Sequence, residues 1–164
     1  MTKKFNILFL CTHNSARSIL AEAIATTHES GKFVGYSAGS SPGTSVNPIA
    51  AEMAIDMGLA PDKLRSKSWD EYELASAPHM DFIITVCDNA AGEVCPFWPG
   101  QPATAHWGFP DPSLVEGSEA VKKHAFREVM IGLKKRIDIL ASLPIDHLDL
   151  MATKDVLKNI HSEA

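Results

Sequence analysis

Five residues separate Cys11 from Arg17 in the run Cys11-Thr12-His13-Asn14-Ser15-Ala16-Arg17-Ser18. These residue types suit a tetrahedral oxyanion. Arg17 carries a planar fork that can hold two anionic oxygens at once. Backbone N–H groups of a loop that opens into a helix point at an anion, and the helix dipole favours negative charge there. Cys11, in the same positive field, is expected to react as thiolate. A thiol of pKa ~8.5 is only about 3% ionised at pH 7, whereas one lowered to about 6 is roughly 90% ionised. Ser18 adds a hydroxyl that can donate to the sulfur, and Asn14 is expected to brace the loop by bonding its backbone. The loop should bind an anion and attack it.

The elements around this run must place it. Phe5 to Leu10 is short and apolar and reads as a buried strand, and Ala16 to about His28 reads as a helix with Ile19, Leu20, Ala23 and Ile24 on one face. A second strand is expected over 32–38 and a third over 81–86. Asn47-Pro48 marks a helix start, with Asn47 as cap, and Gly58 its stop. Ser118 to Leu143 keeps helical spacing up to Pro144, and 152–160 reads as a short helix or a loose tail. Strands alternating with helices imply a parallel sheet, whose ligands bind beyond the carboxyl ends of the strands. Cys11 and Cys87 each follow a strand directly, so both should emerge at the same sheet edge.

Composition narrows the function. At 164 residues, 45% apolar and 21% charged, the chain suits one soluble domain spanning 1–164. A net charge of −5 argues against a nucleic-acid partner, so an anionic substrate must be drawn in by a local site. No apolar run approaches the ~18 residues of a membrane span. The first residues, Met1-Thr2-Lys3-Lys4-Phe5, carry no signal-peptide pattern, so a cytoplasmic location and no membrane partner are expected. Three cysteines, Cys11, Cys87 and Cys95, make no disulfide framework and read as catalytic, redox-active or simply buried. A zinc site from Cys87, Cys95 and His106 lacks the close pairing of structural zinc ligands. The Pro/Gly-rich stretch between Cys87 and Ser118 holds two tryptophans and two phenylalanines, which favour a packed loop.

The run 11–18 resembles the oxyanion loop of the low-molecular-weight protein tyrosine phosphatase superfamily, and its Asn-Ser-Ala-Arg-Ser version resembles the arsenate reductase branch. Tyr36-Ser37-Ala38-Gly39, the pair Cys87 and Cys95, and His106-Trp107-Gly108-Phe109-Pro110-Asp111-Pro112 extend the likeness over most of the chain. The resemblance implies a three-layer α/β/α domain around a four-stranded parallel sheet. It implies that Thr12 to Ser18 bind the oxyanion and that Asp111 is the general acid. It further implies that Cys11 forms a thiol–arsenate adduct, that Cys87 attacks the Cys11 sulfur and releases arsenite, and that Cys95 then attacks Cys87. Segment 88–94 would have to move for these sulfurs to meet. Thioredoxin, or glutathione with glutaredoxin, would restore the thiols. Cys87 and Cys95 stand eight positions apart, one more than in the thioredoxin-coupled members. A flexible loop absorbs such an insertion.

No tightly bound cofactor is implied. Asn14, Glu22, Ser37 and Asp70 resemble positions where some arsenate reductases hold a potassium ion, and oxygen ligands suit that cation. Solvated or capping roles for the two carboxylates stay open. So do two other functions. A phosphatase of this superfamily would need only Cys11, although such enzymes follow the Asp-Pro with aromatic residues where Ser113-Leu114 stand here. A non-enzymatic oxyanion-binding or redox-sensing module would keep the loop without needing Asp111.

Overall fold

A computed structural model of the chain describes residues 4–11, 13–39, 42, 45–72, 74, 76–86, 103–143 and 157–160. Four strands run parallel in the order β2-β1-β3-β4, where β1 is Phe5–Cys11, β2 Phe33–Gly39, β3 Phe82–Thr85 and β4 Ala103–His106. β1 is central and buried at every position but Asn6, as the apolar run from Ile7 to Cys11 requires. The chain leaves β1 toward β2 on one side and returns to β3 on the other. That reversal puts a crevice at the carboxyl end of β1, where Cys11 pairs in register with Gly39.

The pleat sends alternate side chains of β1 to opposite faces. Ile7, Phe9 and Cys11 join the larger core with helices α1 (Arg17–Thr26), α2 (Pro48–Met57) and α3 (Glu119–Ala141). Leu8 and Leu10 pack on the other face with Ala38, Met80, Ile83 and Tyr72, the last from the short turn Trp69–Tyr72. Among the described residues all the long helices lie on the first face.

Helix α1 departs from the one-faced pattern, because every residue from Ser18 to Ala25 is buried. It lies against β1 and β2 and is flanked by α2 and α3, so small alanines line the sides that a surface helix would give to charge. Gly35 makes this approach workable: a Cβ there would stand 2.6 Å from the Glu22 carbonyl oxygen. The close contact brings Glu22 of α1 over Ser37 of β2.

Helix α2 starts and stops as expected. The Asn47 side chain accepts from the Ile49 and Ala50 N–H groups, and Gly58 closes the helix at a φ of 110°. α3 begins at the Ser118 cap. Its Gly132 leaves room for Phe109, whose Cε1 would lie 2.6 Å from a Cβ at that position. Trp107 is fully buried and donates from its indole nitrogen to the Leu157 carbonyl at 2.9 Å. That anchors the helical residues 157–160. Trp107 and Phe109 are buried, as expected of the stretch, while its Phe97 and Trp98 lie outside the described residues. No described helix is long and apolar enough to cross a membrane.

Candidate active site

Cys11 ends β1, almost wholly buried at 3% exposure, and α1 begins at Arg17. The turn between them passes through Asn14, whose φ of 50° is the left-handed conformation that asparagine tolerates better than most residues. Ala16, at the helix cap, has no side-chain oxygen, so nothing on it competes for the first-turn N–H groups that an oxyanion would use.

One hydrogen-bond chain runs under the thiol, and its direction is fixed as far as Ser18. The Lys67 backbone N–H donates to Asn14 Oδ1 at 2.9 Å. That leaves the Asn14 amide nitrogen facing Ser18, to whose Oγ it donates at 2.8 Å. An amide nitrogen only donates, so the Ser18 hydroxyl accepts from it, and its own proton can go to an ionised Cys11 Sγ, 2.9 Å away, which has none to give. A hydrogen bond to the ionised form of an acid favours that form. The relay therefore favours the thiolate, as expected of Ser18. Asn14 braces the loop differently from the expectation, through the Ser18 hydroxyl and Lys67.

No sequence signal ties Lys67 to Asn14, 53 residues away. The bond from the Gly39 N–H to the Lys67 carbonyl and the bridge of Gly39 to Ser68 lay its strand-like segment along the end of β2. Its ammonium points inward, to Ser37 Oγ at 3.1 Å, the Arg65 carbonyl at 3.1 Å, Asn14 Oδ1 at 3.4 Å and Glu22 Oε1 at 3.6 Å. Ser37 in turn donates to Glu22 Oε1 at 2.5 Å. Burial raises the Glu22 pKa, with Lys67 and Ser37 opposing it. Burial likewise lowers that of Lys67, with Glu22 opposing it. Three residues expected to hold potassium, Asn14, Glu22 and Ser37, are thus brought together. The fourth is not: Asp70 is exposed and joins none of these contacts.

On the other flank Arg17 donates from Nη1 to the Phe109 carbonyl at 2.9 Å, and its Nη2 stands 3.5 Å from Asp111 Oδ2. Phe109 is held by α3, where Arg136 lies 4.7 Å over its ring. Asp111 Oδ1 accepts from the Ser113 N–H and hydroxyl and so caps the turn Pro112–Leu114. The carboxylate is thereby placed at the mouth of the loop.

The remaining loop residues frame the site. The His13 side chain is exposed, while its carbonyl accepts from Ser66 Oγ at 2.8 Å. The Ser15 carbonyl accepts from the Asn47 N–H and ties the loop to α2. His106 bonds Thr85 Oγ1 through Nδ1 at 2.7 Å. Thr12, Cys87, Cys95 and segment 88–94 lie outside the described residues. The chain reaches Val86 beside β1, where the Val86 N–H donates to the Leu10 carbonyl at 2.8 Å.

Known proteins resemble this chain over most of its length. Residues 6–151 match the model of the low molecular weight phosphotyrosine protein phosphatase family. An arsenate reductase of Halalkalibacterium halodurans is 37% identical over 141 residues, which span 86% of this chain and 97% of that protein. Another from Bacillus licheniformis is 37% identical over 84% of this chain and 94% of its own length. The crystal structure of an arsenate reductase from Archaeoglobus fulgidus superposes with a TM-score of 0.63 at 25% identity, covering 84% of this chain and 99% of that one.

Proposed function

The chain belongs to the low molecular weight phosphotyrosine protein phosphatase family, and we propose that within it the protein is an arsenate reductase acting through a thiol relay. The observation that carries the reading is the directed hydrogen-bond chain from Lys67 through Asn14 and Ser18 to Cys11, opposite Arg17 and Asp111. It supplies a thiolate, an anion clamp and a proton donor around one space. Relatives that match nearly end to end are arsenate reductases.

Arsenate enters as a tetrahedral oxyanion and exchanges with the Asp111 carboxylate for the Arg17 guanidinium. The Cys11 thiolate attacks arsenic, an S–As bond forms, and an As–O bond breaks as Asp111, which has taken up a proton from the entering hydrogen arsenate on leaving Arg17, passes it to the departing oxygen. Arsenic is still As(V) at this stage. The Cys87 thiolate next attacks Cys11 Sγ: the S–S bond forms, the S–As bond breaks, and its electron pair stays on arsenic, which leaves as arsenite. Cys95, as thiolate, attacks Cys87, freeing Cys11 and leaving a Cys87–Cys95 disulfide. A dithiol such as thioredoxin, or glutathione with glutaredoxin, supplies the two electrons that reopen it. Such a cycle suits a reducing cytoplasm. Support for the Cys87 step comes from Val86, bonded to Leu10 one residue before Cys11.

Arsenate reduction measured with each reductant system separately tests this reading. Cys11→Ser should lower turnover on the order of 10³-fold or more. Cys87→Ser should block it with either system, and Cys95→Ser should block the thioredoxin-coupled cycle. Full turnover by Cys87→Ser would contradict the relay. Hydrolysis of aryl phosphates without arsenate reduction would favour the phosphatase, which needs only Cys11, Arg17 and Asp111.

A further inference from the structure

The ammonium of Lys67 is 6% exposed as a residue and faces oxygens from four others, Asn14, Ser37, Glu22 and Arg65. Three of these are the donors expected for a potassium ion. The donor set does not fit that ion here, because its centre already holds a positive charge. A second cation within reach of the same oxygens would stand against the ammonium in a water-poor site, where like charges repel strongly. The remaining expected ligand, Asp70, is turned to solvent.

Lys67 also grips Asn14 twice, with its backbone N–H at 2.9 Å and its ammonium at 3.4 Å on the same Oδ1. The backbone bond, which any residue at 67 but proline would keep, sets which end of the amide faces Ser18, and the ammonium adds a positive charge on the same oxygen. We propose that Lys67 is a built-in cation: its ammonium takes the place of a bound potassium ion among Asn14, Ser37 and Glu22 and holds the relay that ends on Cys11. Lys67 is a positioning residue. It touches neither substrate nor the reacting sulfur, and it acts through Asn14 and Ser18. The inference rests on Cys11 in its loop and not on arsenate as the substrate.

The test reads Cys11 directly. In a Cys87→Ser, Cys95→Ser background, Cys11 alkylation by iodoacetamide is followed at fixed pH and ionic strength in potassium, sodium or choline chloride. Thermal midpoints are recorded in the same salts. With Lys67 intact, rate and midpoint should be the same in all three. Lys67→Ser, which opens a pocket lined by oxygen, should slow alkylation about tenfold in choline, the equivalent of one pKa unit at the sulfur. Potassium should restore the rate. Lys67→Met, which fills the pocket with an apolar chain, should be slowed in every salt. Potassium-specific acceleration or stabilisation with Lys67 intact would overturn the proposal. Unchanged alkylation in Lys67→Ser, or slowing that potassium does not relieve, would also overturn it. Should both variants fail to fold, the salt series with Lys67 intact decides. Failure of arsenate reduction would leave this result standing.

Discussion

The two flanks of the oxyanion loop are built on opposite plans. On the Cys11 side Asn14, Ser18 and Ser37 are fully buried, with Glu22 and Lys67 nearly so, and each of these side chains is hydrogen-bonded to another. On the Arg17 side one ion pair at 3.5 Å spans side chains that are 11% and 19% exposed. A buried, satisfied network holds one geometry, because any broken bond strands a polar group away from water. A longer, partly hydrated pair gives way more readily to a competing anion. The nucleophile is therefore fixed in place, while the clamp is kept exchangeable. A site that must orient a thiolate yet admit and release an anion benefits from both.

The contrast can be broken from its exchangeable side. Asp111→Asn removes the proton donor and the resting partner of Arg17 together. Turnover should fall about 10²–10⁴-fold, whereas Cys11 alkylation without arsenate should stay close to that of the unaltered chain. A matching collapse in alkylation would mean that the two flanks are one unit. The Lys67 substitutions lie between, with an effect on Cys11 itself. The smallest effect is expected at the rim of the buried flank, where Arg65 and Glu71 form a two-pronged pair at 2.9 and 2.8 Å. The Arg65 hydrogen bonds hold the Glu71 carboxyl below the usual carboxylate range. Its stabilisation is therefore present above the unfolded pKa and fades as pH falls through the lower folded one. Both side chains are well exposed, so Glu71→Gln should cost no more than about 1 kcal/mol near neutrality. The variant should also flatten the acid side of a urea-midpoint profile against pH. A larger loss would place Glu71 inside the buried network.

Much of this was legible in the chain. A mostly apolar run, a polar turn and an alanine-rich helix specify β1, the loop and α1, and Asn47-Pro48 with Gly58 specify α2, because caps and strand patterns are local signals. β4 was not legible: Ala103 to His106 is only four residues long and offers just two alanines as its apolar face, and it becomes a strand by pairing with β3. Nor was the full burial of α1, since small residues on its flanks read as surface until α2 and α3 are placed there. Lys67 is the instructive miss. Nothing near it in sequence marks it as special, and its role arises only when Gly39 draws its segment along β2 to meet Asn14. Asp70, by contrast, looked like a ligand by position and lies in a surface turn.

The central claim is that the loop opens a thiol relay in which the chain's own thiols supply both electrons. A single turnover without external reductant tests it most directly. Fully reduced protein is mixed with arsenate, and arsenite and remaining thiols are counted together. The account predicts about one arsenite released per chain with the loss of two thiols, and no arsenite from Cys87→Ser. All three thiols retained with no arsenite formed would contradict it.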